Sequence, residues 1–361
     1  MAFTLNSYPV VFRAKYSQSK WAEEYLEKAH KTPGEEAAME EESRGKLEDS
    51  RNLYDDMPLV NYTTQYGLGC FEGIKALPQK DGGLAIFRPE RNAARFYRSM
   101  EGLYMPPFPE DQFVKACVET IKRNAELGFR VFYKDEWEKD SFISADSIYI
   151  RPFTLAEGGV GVNISHEPWV MVVTTPVSAY FSGGNSDAVV SDRSRATPKG
   201  TGWIKAASNY TIAALAKHDA VKAGYMECVF LDAEHHKYIE EGSSCNIFFH
   251  LKSGELVTPE LGDTILPGIT RLSIIELARD KGVQVSERKI AVEEALESAV
   301  ECFVTGTAAG VTPIESLTHN GKKTVFNDGK TGELTAELRD TLKGIQYGTI
   351  PDTKGWLTKV L

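Results

Sequence analysis

Beyond residue 187 the chain alternates short β-branched or aromatic runs with stretches of helical period, and that alternation constrains the fold more than any other feature. Strands are predicted near 188–191, 226–231, 237–241, 246–250, 283–287 and 300–305, and helices near 208–222, 270–281 and 292–298. A chain with this pattern builds layered α/β structure, each helix covering a sheet. Just before it lies PVSAYFSGGNSD, whose Pro, Gly and Ser mark a connector. At 361 residues the chain is too long for one ordinary core. The expectation is a smaller N-terminal α/β domain over 1–178, a linker over 179–187 and a larger C-terminal α/β domain over 188–361.

The first half fits a mixed α/β domain. LVNYTTQYGLGCFEGIKAL carries β-branched and aromatic residues broken by Gly67, Gly69 and Gly73, which suggests bent strands. AIFRPERNAARFYRSMEGL turns helical after Pro89. Phe113, Cys117, Ile121 and Val114, Val118, Ala125 recur at helical spacing, closed by Gly128. SADSIYIRPF and WVMVVTT read as strands, and the acidic stretch 32–56 reads as a surface helix or loop. No internal repeat is visible.

Forty-one Lys plus Arg against 51 Asp plus Glu leave a net charge of −10, which argues against a nucleic-acid or anionic-membrane partner. The longest charge-free stretch, Pro168 to Ser186, is interrupted by Pro176, Gly183 and Gly184, so no membrane span is expected. Arg13 and Lys15 break the N-terminus before a secretory core can form. Five scattered cysteines without CxxC spacing suit reduced, buried thiols in a cytoplasmic protein. His235-His236 sit in a polar turn between strand-like runs, a hairpin tip and no metal site.

Three strand–turn–helix segments expose backbone N–H groups suited to an anion. LPGITR leads into a helix at Ile269 and Thr270, and FVTGTAAGVTP places Thr307 and Ala308 after a strand. The third, GLGCFEG, nearly matches a dinucleotide fingerprint, but Glu72 stands at the third glycine and no βαβ unit surrounds it. In SIYIRPF, alternation puts Tyr149 and Arg151 on one face and Ile148 and Ile150 on the other. A guanidinium beside a phenol suits a carboxylate, though a solvated sheet face has the same pattern. Lys205, in GTGWIKAASNY, opens a helix among small residues, where desolvation makes an amine nucleophilic; most lysines are plain surface charges. YIEEGSSCNIF runs a strand into Glu240 and Glu241 on opposite faces, so one points inward and requires a partner that this segment does not supply.

The ordered set YGLGCFEGIKA, IFRPERNAARF, SIYIRP, GTGWIKAASNY, YIEEGSSCNIF, LPGITR and FVTGTAAGVTPI resembles the branched-chain amino acid aminotransferases, from about residue 57 to Gly348. The resemblance implies a two-domain fold type IV pyridoxal-phosphate enzyme, with the cofactor at the domain interface and a homodimeric assembly. It implies Lys205 as the attachment point for pyridoxal 5′-phosphate and carrier of the transferred proton. Glu241 would pair with the ring nitrogen, Tyr210 with the phenolic oxygen, and Ser243 and Ser244 would lie near the cofactor. Arg95, the Ile269 and Thr270 amides and Thr307 would hold the phosphate.

On the substrate side the resemblance implies a pocket of Tyr66, Phe71, Tyr149 and Arg151, with the amides of Thr307 and Ala308 at the α-carboxylate. Val160 and Val162, in a loop resembling one that reaches the neighbouring subunit's site, complete it. The implied reaction moves an amino group between L-Leu, L-Ile or L-Val and 2-oxoglutarate by ping-pong turnover. The alternatives on the same fold are a D-amino acid transaminase and an aminodeoxychorismate lyase. A non-catalytic scaffold could dispense with Lys205, Glu241, Tyr210 and Arg95, all of which are present. Some eukaryotic members carry a redox CxxC where this chain has Ala309 and Thr312, so no thiol switch is expected there.

Overall fold

A computed structural model describes residues 7–28, 30, 57–178 and 186–361. The acidic stretch 32–56 and all but the last two residues of the 179–187 connector lie outside the described residues. Among the described residues, no helix is long and apolar enough to cross a membrane.

Two compact units result. In the first, β1 (Val10–Ser17) and β2 (Lys20–Glu27) form a hairpin whose turn residues, Gln18 and Ser19, both have positive φ. Then come α1 (Tyr62–Tyr66), β3 (Ile74–Pro78), β4 (Leu84–Phe87), α2 (Pro89–Gly102), α3 (Glu110–Glu126), β5 (Ser147–Leu155) and β6 (Trp169–Val177). A seven-stranded antiparallel sheet runs in the order C-terminal strand (Leu357–Lys359), β4, β3, β5, β6, β1, β2. Packed on it, α3 buries Phe113, Cys117 and Ile121, the stripe its period predicts.

Two expectations are corrected here. Residues 62–66 are helical, not strand: the Asn61 side chain accepts the Thr64 N–H (2.8 Å), Thr64 returns the bond to the Asn61 N–H, and left-handed Gly67 ends the turn. Reciprocal capping outweighs the β-propensity of the Tyr-Thr-Thr run. A division by position at residue 188 also leaves the last residues with the second unit. Their contacts return Ile345–Leu361 to the first, because Leu357–Lys359 pairs with β4; Ala206–Ser208 belongs there too.

The second unit comprises β7 (Asp187–Val190), α4 (Asn209–Lys222), β8 (Glu227–Leu231), β9 (Ile239–Gly242), β10 (Asn246–Leu251), β11 (Leu256–Thr258), α5 (Ile269–Asp280), β12 (Val285–Glu287), α6 (Val292–Ser298), β13 (Ala299–Gly306), β14 (Gly310–Ile314), β15 (Ser316–His319), β16 (Lys322–Val325) and all but the last two residues of α7 (Glu333–Gln346). Asp187, placed in the connector by sequence, already begins β7. Two five-stranded sheets run β12-β11-β10-β13-β14 and β16-β15-β7-β8-β9. Their shared core holds Val229, Ile239, Ile247, Phe249, Val304 and Leu317. Alternation along β8 explains how it serves two layers: Val229 and Leu231 face that core, while Cys228 and Phe230 pack against Ala216 and Ala220 of α4.

Candidate active site

Lys205 ends a tight turn that the following helix holds in place. The Asn209 amide, at the start of α4, donates to the carbonyls of Thr201 (2.7 Å) and Ile204 (2.9 Å), capping the turn. Gly202 lies so close to Thr264 that an added Cβ would stand 2.5 Å from its backbone, so only glycine fits. The half-buried Lys205 amine reaches the Tyr210 hydroxyl at 2.7 Å, one helical turn on.

Glu241 faces inward from β9, 3 % exposed. Its Oε1 lies 2.8 Å from the Arg195 guanidinium and accepts the Leu266 N–H at 3.2 Å. Its Oε2 accepts the Asn246 amide at 3.0 Å, and that amide also donates to the Leu266 carbonyl. Burial pushes the carboxyl up to about 7; Arg195, the Leu266 N–H and the nearby Lys205 charge pull it down, and Glu240 pushes it up.

Asn246 ties this carboxylate to the anion-type loops. Its Oδ1 lies where a Cβ on Gly268 would be, and Gly268 is the N-cap of α5. The Ile269 and Thr270 N–H groups, in the first turn of α5, take no partner from the described residues. Asn246 also pairs with Thr305 across β10 and β13, which brings the turn of Thr307 and Ala308 beside the Ser243-Ser244 bend; Gly306 faces the Ser244 carbonyl. Ser243 is buried and Ser244 exposed. The predicted residues of the second unit, Lys205 among them, therefore lie on segments meeting at one end of β9, β10 and β13.

In the first unit the FEG tripeptide organises the rest. Phe71 stacks under the Arg151 guanidinium (4.7 Å to the ring centre), and Arg151 donates to the Tyr149 hydroxyl at 3.1 Å. A Cβ on Gly73 would stand 2.0 Å from that hydroxyl. Arg151 Nε is buried without a hydrogen bond, although Arg151 and Phe71 themselves stay partly exposed. Arg95 is 4 % exposed and paired through Nε and Nη2 with both oxygens of Glu72, each at 2.7 Å. Asn92 adds a third donor to Glu72 at 2.8 Å. Tyr66 accepts the Gly161 N–H at 2.7 Å, pinning a loop whose Val160 and Val162 are 79 % and 96 % exposed.

Two residues escaped sequence reasoning. Glu72 stands out there only as a spoiled glycine position, whereas it is the carboxylate that orients Arg95. Its available signal is a charge flanked by Phe71 and Gly73 in an otherwise apolar run, which demands a cation. Arg195 supplies the cation that the Glu241 segment lacks, from 46 residues upstream. Nothing local to Arg195 distinguishes it.

A lysine held against a tyrosine, a buried carboxylate and a helix whose first amides take no partner from the described residues share one unit, a set of groups suited to a phosphorylated, nitrogen-bearing ring. The model of the class IV amino-transferases matches residues 69–317, and the chain belongs to that family. It is 40 % identical over 307 residues to the branched-chain-amino-acid aminotransferase of Mycolicibacterium smegmatis, covering 82 % of this chain and 80 % of that one. Over 321 residues it is 38 % identical to the mitochondrial branched-chain amino acid aminotransferase 1 of Humulus lupulus (88 % and 77 % covered).

Among solved structures, the T.th. branched-chain amino acid aminotransferase complexed with N-(5′-phosphopyridoxyl)-L-glutamate superposes with a TM-score of 0.71 at 31 % identity, covering 86 % of this chain and 95 % of that one. The Thermobaculum terrenum enzyme in its PLP form gives 0.73 at 26 % identity, with 99 % and 100 % covered. The fold is that of the type IV pyridoxal-phosphate aminotransferases.

Proposed function

We infer that the chain is a pyridoxal-5′-phosphate-dependent transaminase that moves the amino group between L-Leu, L-Ile or L-Val and 2-oxoglutarate. The observation that carries this reading is the buried Glu241 carboxylate, held by Arg195 and Asn246 in the same unit as the Lys205–Tyr210 pair. The cofactor's charge pattern fits these residues: a ring nitrogen for Glu241, a phenolic oxygen for Tyr210 and a phosphate for the unpartnered amides of Ile269 and Thr270. Bound there, pyridoxal 5′-phosphate supplies an electron sink that acidifies the substrate Cα–H.

Around it we assign Lys205 to covalent attachment and then to carrying the proton at Cα. Tyr210 positions the Lys205 amine. Glu241, oriented by Arg195 and Asn246, favours a protonated ring nitrogen. Arg95, Ser243, Ser244 and Thr307 complete the cofactor's polar surroundings. Tyr66, Phe71, Tyr149 and Arg151 form the side-chain pocket, apolar enough for Leu and cationic enough for the γ-carboxylate of Glu. The Thr307 and Ala308 amides take the α-carboxylate. Branched-chain relatives favour this reading over a D-amino acid transaminase or an aminodeoxychorismate lyase.

The proposed working form is a homodimer, with the exposed Val160 and Val162 entering the partner's site. The proposed compartment is the cytoplasm, which the five free, buried cysteines suit. The test is the absorbance of the cofactor-loaded protein with and without L-leucine, then with D-alanine and aminodeoxychorismate. L-leucine alone should bleach the visible band, and Lys205→Ala should remove both band and turnover. Turnover retained by Lys205→Ala, or no amino transfer from any branched L-amino acid, sinks the assignment.

A further inference from the structure

A cavity of about 310 Å³ opens beside β9, lined by Glu240 and not by Glu241. Adjacent residues of a strand face opposite ways, so the two carboxylates serve different spaces. Glu240 is 6 % exposed, and its Oε2 has no hydrogen-bond partner among the described residues. Leaving a carboxylate oxygen buried and unpaired is costly, and a positive ligand would remove that cost.

The walls say which kind. Five carboxylates (Asp232, Glu234, Glu240, Glu260 and Asp263) face one lysine, Lys289. Asp232 is already occupied by the N–H groups of His235, Lys237 and Tyr238, and Asp263 accepts the Lys199 N–H. Glu240 is left as the inner anion, with Glu234 and Glu260 exposed at the mouth. Among the described residues no group of three His, Cys, Asp or Glu is disposed to hold a metal ion. Pro259, Leu261 and Ile265 add apolar surface. An occupant must therefore bring its own N–H donor and an apolar body.

We propose that this cavity binds a small aliphatic ammonium compound, its charged nitrogen on Glu240 and its chain against Pro259, Leu261 and Ile265. The site communicates with the carboxylate on the other face of β9. Thr264, which lines the cavity, accepts from Arg195 through its carbonyl, and Leu266 two residues on donates to Glu241. An occupant that shifts this loop changes the field at Glu241, and the reverse holds by linkage.

The test is calorimetric titration of the cofactor-loaded protein with N,N-dimethylbutylamine, a tertiary amine that cannot condense with an aldehyde and so leaves the lysine-bound cofactor untouched. One-site binding is expected with a Kd at or below about 1 mM. Glu240→Gln should weaken it roughly tenfold or more, the loss expected of a charge-assisted hydrogen bond. Leu261→Lys, at a 43 % exposed position, should weaken it comparably by placing a like charge at the mouth. Butan-1-ol should give no heat. Absence of saturable binding, equal binding by Glu240→Gln, or equal binding of the alcohol overturns the proposal. Should Glu240→Gln not fold, undiminished binding by Leu261→Lys does so.

Discussion

The Arg195–Glu241 pair allows a quantitative test of how the buried carboxylate is held. Burial raises Glu241 from 4.5 to about 7 even with Arg195 at 2.8 Å. The folded chain therefore binds this proton more tightly than the unfolded chain. The contribution of this group is complete below about pH 4.5 and falls by about 3 kcal/mol as the pH rises through 7. Arg195→Gln removes the leading favourable charge, so the carboxyl rises further and the loss continues above pH 7 at about 1.4 kcal/mol per unit.

At pH 5.5 the Glu241 carboxyl is mostly protonated, and Arg195→Gln costs its bonds to the Gly202 and Thr264 carbonyls and to the neutral carboxyl, about 1 kcal/mol each. A double-mutant cycle with Glu241→Gln isolates the charge–charge part. Urea unfolding of the cofactor-free protein should give a coupling energy of about 1 kcal/mol at pH 5.5, that of a neutral hydrogen bond, and about 2–3 kcal/mol at pH 8.5. Coupling of equal size at both pH values would refute the view that Arg195 acts by keeping Glu241 ionised.

Other perturbations probe separate parts. Glu72→Gln leaves the buried Arg95 guanidinium without its anion and should cost about 3–5 kcal/mol in thermal or urea unfolding. Gly73→Ala, whose Cβ falls on the Tyr149 hydroxyl, should displace the Tyr149–Arg151 pair and lower kcat/KM for L-leucine about tenfold or more, with circular dichroism unchanged. Glu301 accepts the N–H groups of Leu334 and Thr335 and the Thr335 hydroxyl at the start of α7, which with His250 hold it down at about 2. That contribution is present above about pH 4.5 and lost as the pH falls towards 2. Glu301→Gln should cost about 1–2 kcal/mol at pH 7, read from unfolding midpoints, and less at pH 3.

The sequence by itself determined the local elements and the chemical inventory. α6 occupies the predicted 292–298, and α3 buries its predicted stripe, because helical period is written into consecutive side chains. Lys205 stood out only as a lysine among small residues at a helix start, and Tyr210 only through the resemblance of GTGWIKAASNY to a known family. Only the tertiary structure decided which charge meets which. Arg195 reaches Glu241 across 46 residues, and Glu72 reaches Arg95 because a strand end and a helix pack together. The C-terminal strand likewise joins β4 through backbone hydrogen bonds that carry no side-chain signature. Periodicity is a property of neighbours along the chain, whereas the pairing of buried charges depends on which distant segments exclude water from the same place.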